Sequence, residues 1–251
     1  MRNASEIRSM FASISRRYDF LNHLLSLNQD KRWRKEAVEM SRLSGSDLVL
    51  DVCSGTADLA IEYARKVGPS GLVVGTDFCP EMLLIGNRKI SECPNGSSGR
   101  GKIALMAADT LHLPFADDTF DVASVAFGIR NVSDVKAGVT EMTRVVKEGG
   151  RVVILEFSLP EHRLVRGLYK GYFTCLLPVI GRTVSRARND AYSYLPDSVL
   201  KFPEKGEMCE VLRECGLGDV SATELTLGIV TLYVGFKHSM RTTQQARKTS
   251  F

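Results

Sequence analysis

Acidic and small residues follow apolar runs at two places in the first third of this chain. The run VLDVCSGTADLA spans residues 49–60, and the run VVGTDF spans residues 73–78. An apolar strand ending at Asp51, a turn through Gly55 and a second strand delivering Asp77 form a unit that binds nucleotides in α/β proteins. The turn lets backbone N–H groups approach a ligand, and the Asp77 carboxylate can accept both hydroxyls of a ribose. The spacing predicts a site for a ribose-bearing ligand, although an ordinary strand-to-helix turn with a surface aspartate would contain the same residues.

A second candidate site follows the apolar stretch at residues 122–127. Arg130 and Asn131 come shortly after this stretch, and open α/β sheets bind ligands at the carboxyl ends of their strands. Because a guanidinium keeps its protons, Arg130 suits the holding of an anion rather than the role of a base. Histidine is the usual proton acceptor near neutral pH, but His23 and His112 lie in segments that favour a surface position. The alternative for Arg130 and Asn131 is a solvated loop with an asparagine turn.

Alternating strands and helices must position these residues. From residue 48 to residue 157, strand patterns and helical patterns take turns, which is typical of a parallel sheet with helices on both faces. The predicted strands are 48–53, 72–77, 102–107, 122–127 and 151–157, and the predicted helices are 58–67, 80–91 and 133–146. A helix at 204–215 and strands at 218–224 and 228–236 follow. The adjacency of these two strands predicts a closing antiparallel hairpin.

Helical segments flank this α/β core. Residues 1–45 are predicted to form an N-terminal helical cap, because apolar residues recur there at helical spacing. Residues 161–193 are predicted to form a helical insert or lid before the last strands. A glycine-rich loop is expected at 91–101. We expect one domain, residues 1–237, and a polar, basic, disordered tail at 238–251.

The composition argues against several classes of protein. The 251 residues are 44% hydrophobic with a net charge of +4, which is typical of one globular domain and too weakly basic for a nucleic-acid-binding protein. The 6 cysteines lack the C-x-x-C spacing of zinc or redox sites, and no metal site is predicted. The N-terminus has no apolar signal core, and no stretch is long enough to cross a bilayer. We expect a cytoplasmic protein, with peripheral contact to the inner face of the membrane left open.

Six segments spread along the chain form a recognisable set. They are FASISRRYDFLNHLLSLNQDKRWRKEA, DVCSGTADLA, AADTLHLPFADDTFDVASVAFGIRNV, TRVVKEGGRVVILEFSLP, AYSYLPDSVLKFP and LTLGIVTLYVGFK. Together they resemble the ubiquinone/menaquinone biosynthesis C-methyltransferase family over nearly everything from Phe11 to Lys237. FGIRNV is the most specific segment, because general methyltransferases lack it. Cys53 and Ala57 depart from the D-x-G-x-G-x-G pattern of methyltransferases, Asn28 replaces a glycine of the family, and Ala126 stands where a serine often precedes FG.

This resemblance implies a class I methyltransferase fold, which is a Rossmann-like, seven-stranded, mostly parallel sheet with helices on both faces. It also implies S-adenosyl-L-methionine as the cofactor. The cofactor contacts that it implies are Asp51, Gly55, Thr56, Asp77, Asp109, Thr110 and Ala126. Of these, Asp77 would hold the ribose and Asp109 would lie beside the adenine, although Asp109 also fits a turn cap.

The implied reaction is methyl transfer to a ring carbon of a prenylated quinol. This carbon becomes nucleophilic when an adjacent hydroxyl loses its proton, so the protein must remove that proton, stabilise the oxyanion and align the reactants. The residues implied for these tasks are Tyr18, Arg130 and Asn131. Arg130 would hold the quinol oxygen as an anion, and Asn131 and Tyr18 would orient the ring or an ordered water.

We favour a naphthoquinol, as in menaquinone biosynthesis, over the benzoquinol of ubiquinone biosynthesis, because residues 191–203 look more like menaquinone-pathway sequences. An NAD(P)-dependent oxidoreductase is a rival, but Gly-x-Gly-x-x-Gly is absent. A membrane-associated binding module without catalysis is a further alternative. The apolar run 172–180, with basic residues around it from Arg163 to Arg188, fits either an interfacial helix or a lid. A homodimer is left open.

Overall fold

A single sheet of seven strands lies at the centre of the molecule. The computed structural model describes residues 4–92, 101–171 and 198–238. The strands are β1 (Leu48–Val52), β2 (Leu72–Asp77), β3 (Lys102–Ala107), β4 (Phe120–Ala126), β5 (Val146–Phe157), β6 (Leu217–Leu225) and β7 (Val230–Lys237). Their order is β3-β2-β1-β4-β5-β7-β6. The first five strands are parallel, and β7 runs antiparallel to both β5 and β6. The predicted parallel sheet and closing hairpin are therefore confirmed.

α-Helices connect or flank the strands. They are α1 (Ala4–Leu25), α2 (Gln29–Met40), α3 (Asp58–Ala64), α4 (Pro80–Glu92), α5 (Val135–Val145), α6 (Arg163–Gly171) and α7 (Lys205–Glu214) among the residues described. Helix α5 begins two residues later than predicted, because the Asp134 side chain accepts a hydrogen bond from Ala137 N and caps it. Strand β5 begins at Val146 rather than at residue 151, because Val146 pairs with Phe120 across an irregular register.

Two apolar layers pack on the two faces of the sheet. One layer joins α2 and α3 to the strands through Trp33, Val38 and Tyr63. The other joins α5 and α7 to the strands through Met142 and Leu212. Each fully buried side chain of this size stabilises the fold by about 1.5–3 kcal/mol. Both layers hold the carboxyl ends of β1, β2 and β4 in fixed relative positions.

Helices α1 and α2 form the predicted N-terminal cap. Leu27 and Asn28 join them with φ values of 52° and 61°. Asparagine tolerates this left-handed backbone better than most residues, so Asn28 can take a position where the resemblance led us to expect glycine. No helix in the described part of the chain is long and apolar enough to span a membrane.

Parts of three predicted segments lie outside the described residues. Of the helical insert predicted at 161–193, only residues up to Gly171 are described, as α6. The described residues leave out 93–100 of the predicted loop and everything beyond residue 238 of the predicted tail.

Candidate active site

The turn after β1 has an unusual backbone. Cys53, Gly55 and Ala57 have φ values of 51°, 56° and 67°. These are the three small positions of the D-x-G-x-G-x-G pattern, and all three adopt the left-handed conformation that glycine favours. Cys53 and Ala57 adopt it at a cost of roughly 1–2 kcal/mol each. The turn therefore keeps the shape that the pattern requires although two of its glycines are replaced.

Asp77 connects the end of β2 to this turn. One carboxylate oxygen accepts a hydrogen bond of 2.8 Å from Gly55 N, and the other accepts one of 2.7 Å from Cys79 N. Burial raises the pKa of Asp77, and these two N–H groups act in the opposite direction. Each oxygen keeps a further lone pair that can accept a hydroxyl. The geometry thus suits a diol such as a ribose.

A cavity with about 810 Å³ of empty space opens at the carboxyl ends of β1, β2 and β4. The last residue of β2, Asp77, and the loops after β1 and β4, with Cys53 and Gly128, contribute to its wall. A Cβ on Gly55 would project into open space, so the backbone of the turn is accessible to a ligand.

Helix α1 covers one side of this cavity. Ile7, Arg8, Phe11 and Tyr18 all line it. The Arg8 guanidinium lies 5.9 Å from the centre of the Phe78 ring, which also lines the cavity. The N-terminal cap predicted from the sequence is therefore part of the site.

The structure brings four of the seven predicted cofactor residues to the cavity. Gly55, Asp77, Asp109 and Thr110 line it. Asp109 does so while also capping a turn, since its Oδ1 accepts a hydrogen bond of 2.9 Å from Leu111 N. Both interpretations of Asp109 are therefore compatible with its position.

The other three predicted cofactor residues lie behind the wall. Asp51 is 1% exposed and accepts a hydrogen bond from the Ser54 hydroxyl, and burial raises its pKa to about 7. The Thr56 hydroxyl is turned to Asp19, at 2.5 Å. Ala126 is the last residue of β4 and packs on the apolar layer of α2 and α3. Direct cofactor contacts by these three side chains stay predictions.

Two of the three predicted catalytic residues line the cavity. Tyr18 and Asn131 do, and Arg130 does not. Burial raises the pKa of the Tyr18 hydroxyl, while the positive charges of Arg130 and Arg34 lower it. Asn131 Oδ1 is buried and accepts no hydrogen bond within the described residues. A buried acceptor without a partner is costly, and Asn131 is retained at the cavity wall despite this cost.

Arg130 lies behind the cavity wall in an ion pair with Glu156. The distance from Arg130 Nη1 to Glu156 Oε1 is 2.5 Å, and the two side chains are 7% and 0% exposed. The same nitrogen donates to the Phe127 carbonyl at 2.6 Å. Glu156 could not be found from the sequence, because nothing in the apolar segment 151–157 indicates which neighbouring loop its single acidic residue will meet.

The two histidines that were weighed as bases do not line the cavity. His112 is exposed, and His23 pairs with Asp30 at 2.8 Å. His23, Asp30 and Asp58 lie close enough together to hold a cation. Arg34 donates to Asp30 and Lys89 to Asp58, so side-chain cations already pair with these carboxylates.

Comparison with known proteins identifies the relatives of this chain. The model of the ubiE/COQ5 methyltransferase family matches residues 1–237. The chain belongs to this family. It is 48% identical over 231 residues to "Ubiquinone/menaquinone biosynthesis C-methyltransferase UbiE" of Geobacter sulfurreducens, covering 92% of this chain and 88% of that protein. It is 38% identical to "Demethylmenaquinone methyltransferase" of Alkalihalophilus pseudofirmus, covering 92% and 95%.

Solved structures confirm the fold. A "SAM dependent methyltransferase from Aquifex aeolicus" superposes with a TM-score of 0.58 at 16% identity, covering 81% of this chain and 89% of that one. A phosphoethanolamine N-methyltransferase of Haemonchus contortus in complex with S-adenosyl-L-methionine also has a TM-score of 0.58, at 12% identity, covering 82% and 52%. The chain is an S-adenosylmethionine-dependent methyltransferase of the ubiE/COQ5 family, as the resemblance implied. The oxidoreductase alternative is wrong.

Proposed function

We propose that this chain methylates a ring carbon of a prenylated naphthoquinol, converting a demethylmenaquinol to a menaquinol. The observation that carries this proposal is one cavity that combines a diol-binding carboxylate, Asp77, with Tyr18 and Asn131. A ribose site beside polar groups that could orient a quinol is the arrangement that such a reaction needs.

The residues present fit S-adenosylmethionine. Asp77 has unused lone pairs for the ribose hydroxyls, and the open side of Gly55 leaves backbone accessible to the amino-acid end. Asp109, Leu111 and Met82 line the same cavity, where they would border the adenine. When bound, the cofactor supplies an electrophilic methyl group on a sulfonium sulfur.

The chain's own residues must then hold the quinol and its charge. We propose that Tyr18 and Asn131, which both line the cavity, orient the ring hydroxyl. We propose that Arg130 supports the deprotonated oxygen from behind the wall, where its guanidinium is held by Glu156. Oxyanion stabilisation by fixed groups in a site from which water is excluded is usually a large part of a rate enhancement.

The experiment that tests this function offers two reduced acceptors side by side. Purified protein with S-adenosylmethionine receives a demethylated prenyl naphthoquinol or the ubiquinone-pathway benzoquinol, and mass spectrometry locates the new methyl group. We expect faster methylation of the naphthoquinol ring. Relatives named demethylmenaquinone methyltransferase, at 35–38% identity, support this choice. Methylation of the benzoquinol alone would contradict the naphthoquinol proposal and assign the ubiquinone-pathway benzoquinol as the substrate.

We also propose that the protein contacts a membrane surface, where a prenylated substrate resides. Large apolar side chains are exposed around the end of α1, with Phe20 at 61% and Leu27 at 79%. Leu227 is also 75% exposed. Leu25 and Ile229 both pack against Tyr169. Leu27 is two residues after Leu25 in the sequence, and Leu227 is two residues before Ile229. Such side chains favour the boundary of a bilayer. A homodimer stays a prediction that analytical ultracentrifugation checks.

A further inference from the structure

The turn after β4 has a strained backbone at the wall of the cavity. Phe127 has a φ of 58°, which is a rare conformation for a bulky residue. Phe127 lines the cavity, and so do Gly128 and Asn131 just after it. Strain of this kind costs about 1–3 kcal/mol and persists only where the surroundings hold it in place.

The Arg130–Glu156 pair adds polar contacts to this turn, beside the backbone hydrogen bond from Phe127 N to the Leu155 carbonyl. Arg130 Nη1 donates to the Phe127 carbonyl at 2.6 Å and to Glu156 Oε1 at 2.5 Å. Glu156 Oε1 also accepts Phe157 N at 2.9 Å, and its Oε2 accepts Arg130 N at 3.5 Å. One carboxylate therefore links the end of β5 to both the backbone and the side chain of Arg130.

Aromatic packing continues this connection. The Arg130 guanidinium lies 5.4 Å from the centre of the Phe157 ring, and the Phe157 ring centre lies 4.7 Å from that of Phe127. The side chain of Trp33 packs against both rings, at 5.9 Å and 6.2 Å. A change in the conformation of the strained turn should therefore change the packing around Trp33.

We propose that Glu156 is a positioning residue, which with Arg130 clamps the left-handed turn at Phe127 and thereby places Phe127 and Asn131 at the cavity. The positioning role of Glu156 depends on the proposed function only where it predicts an effect on methyl transfer. Glu156 touches no reacting atom, and it acts through Arg130. Burial of its carboxylate without Arg130 would leave an unpaired charge in the core, which explains why the two side chains act as one unit.

The test uses Glu156→Gln and the chain's 1 tryptophan, Trp33. Glutamine keeps the shape and one acceptor oxygen but removes the charge that anchors Arg130. We expect acrylamide quenching of Trp33 fluorescence, low in the wild type because Trp33 is 4% exposed, to rise. The rise should be about twofold or more, and quinol methylation at saturating cofactor should fall about ten- to hundredfold.

The matched control is Asp47→Asn. Asp47 pairs with Arg151 at 3.2 Å and also accepts a backbone N–H, from Ser44, but it lies at the opposite end of the sheet. We expect neither Trp33 quenching nor turnover to change in this variant by more than about twofold. If Glu156→Gln does not fold, the double variant Arg130→Met/Glu156→Met replaces the buried pair by apolar side chains, and the same rise in quenching is expected.

Three outcomes would overturn the proposal. They are unchanged quenching with unchanged turnover, lost turnover with unchanged quenching, and raised quenching with unchanged turnover. If the wild type methylates no quinol, the proposed function fails, but the Trp33 comparison between Glu156→Gln and Asp47→Asn still decides whether the clamp exists.

Discussion

At the scale of single residues, Cys53 and Gly128 constrain each other. A Cβ on Gly128 would lie 2.4 Å from Cys53 Cβ and 3.3 Å from its sulfur. We expect Gly128→Ala to lower the free energy of unfolding by about 1–3 kcal/mol through this overlap. Adding Cys53→Gly should restore most of that loss, since it removes the obstacle and suits the φ of 51°. Urea unfolding of both variants measures this, and a double variant no more stable than Gly128→Ala would contradict it.

Asp51 makes stability depend on pH. Burial raises its pKa to about 7, so the folded chain keeps a proton that the unfolded chain releases near pH 4. The pKa of Asp51 is higher in the folded chain than in the unfolded chain. The stabilisation that comes from this bound proton is therefore complete below about pH 4 and is lost as the pH rises through about 7. Asp51→Asn fixes the neutral form. The free energy of unfolding of this variant should match that of the wild type at about pH 4 and exceed it at about pH 8 by on the order of 4 kcal/mol.

Denaturant unfolding at several pH values measures this difference, because the titrations of all other groups cancel between the two proteins. A constant difference in the free energy of unfolding between the variant and the wild type from acid to alkaline pH would show that folding does not raise the pKa of Asp51.

Local spacing was enough to predict Asp77, Gly55 and Asn131 at the cavity, because each lies at the carboxyl end of a strand or in the loop that follows it. It was not enough for Arg130. Its burial against Glu156 depends on β4 lying beside β5 in one particular register, with Ala126 opposite Leu155. No pattern within either segment contains that information.

At the scale of elements, α1 is fastened to the cofactor turn by a small polar network. Asp19 accepts hydrogen bonds from the Thr56 hydroxyl at 2.5 Å and from Lys89 at 2.9 Å. Lys89 also donates to Asp58. Since α1 covers the cavity, we expect Lys89→Met to speed dissociation of S-adenosylmethionine by about three- to tenfold.

Stopped-flow dissociation checks this expectation. The control is Lys66→Met, which removes a surface ion pair with Glu39 and should leave the rate unchanged. Equal dissociation rates for the two variants would mean that the network does not restrain the cover.

The alternation of strands and helices predicted nearly every element, because each has its own apolar period. The early start of β5 was missed, since residues 147–150, KEGG, look like a turn and the pairing of Val146 with Phe120 depends on a strand elsewhere in the chain.

At the scale of the whole molecule, the exposed apolar residues near the end of α1 predict membrane docking. Leu27→Ser/Leu227→Ser should reduce co-sedimentation with anionic liposomes by about fivefold, because two side chains no longer enter the bilayer. Leu84 on α4 is 68% exposed, so Leu84→Ser is a control of matched chemistry. Equal losses for both variants, or none, would count against a docking surface at α1.

The most direct measurement follows a labelled methyl group from S-adenosylmethionine to the quinol. The acceptor is a demethylated prenyl naphthoquinone, either fully reduced or fully oxidised, under anaerobic conditions. Only the quinol has a hydroxyl whose ionisation makes the ring carbon nucleophilic. We predict label on the ring carbon of the quinol, little on the quinone, and a large loss with Asp77→Ala. Equal labelling of the oxidised quinone without reductant, or no labelling of the quinol, would contradict the proposed methyl transfer.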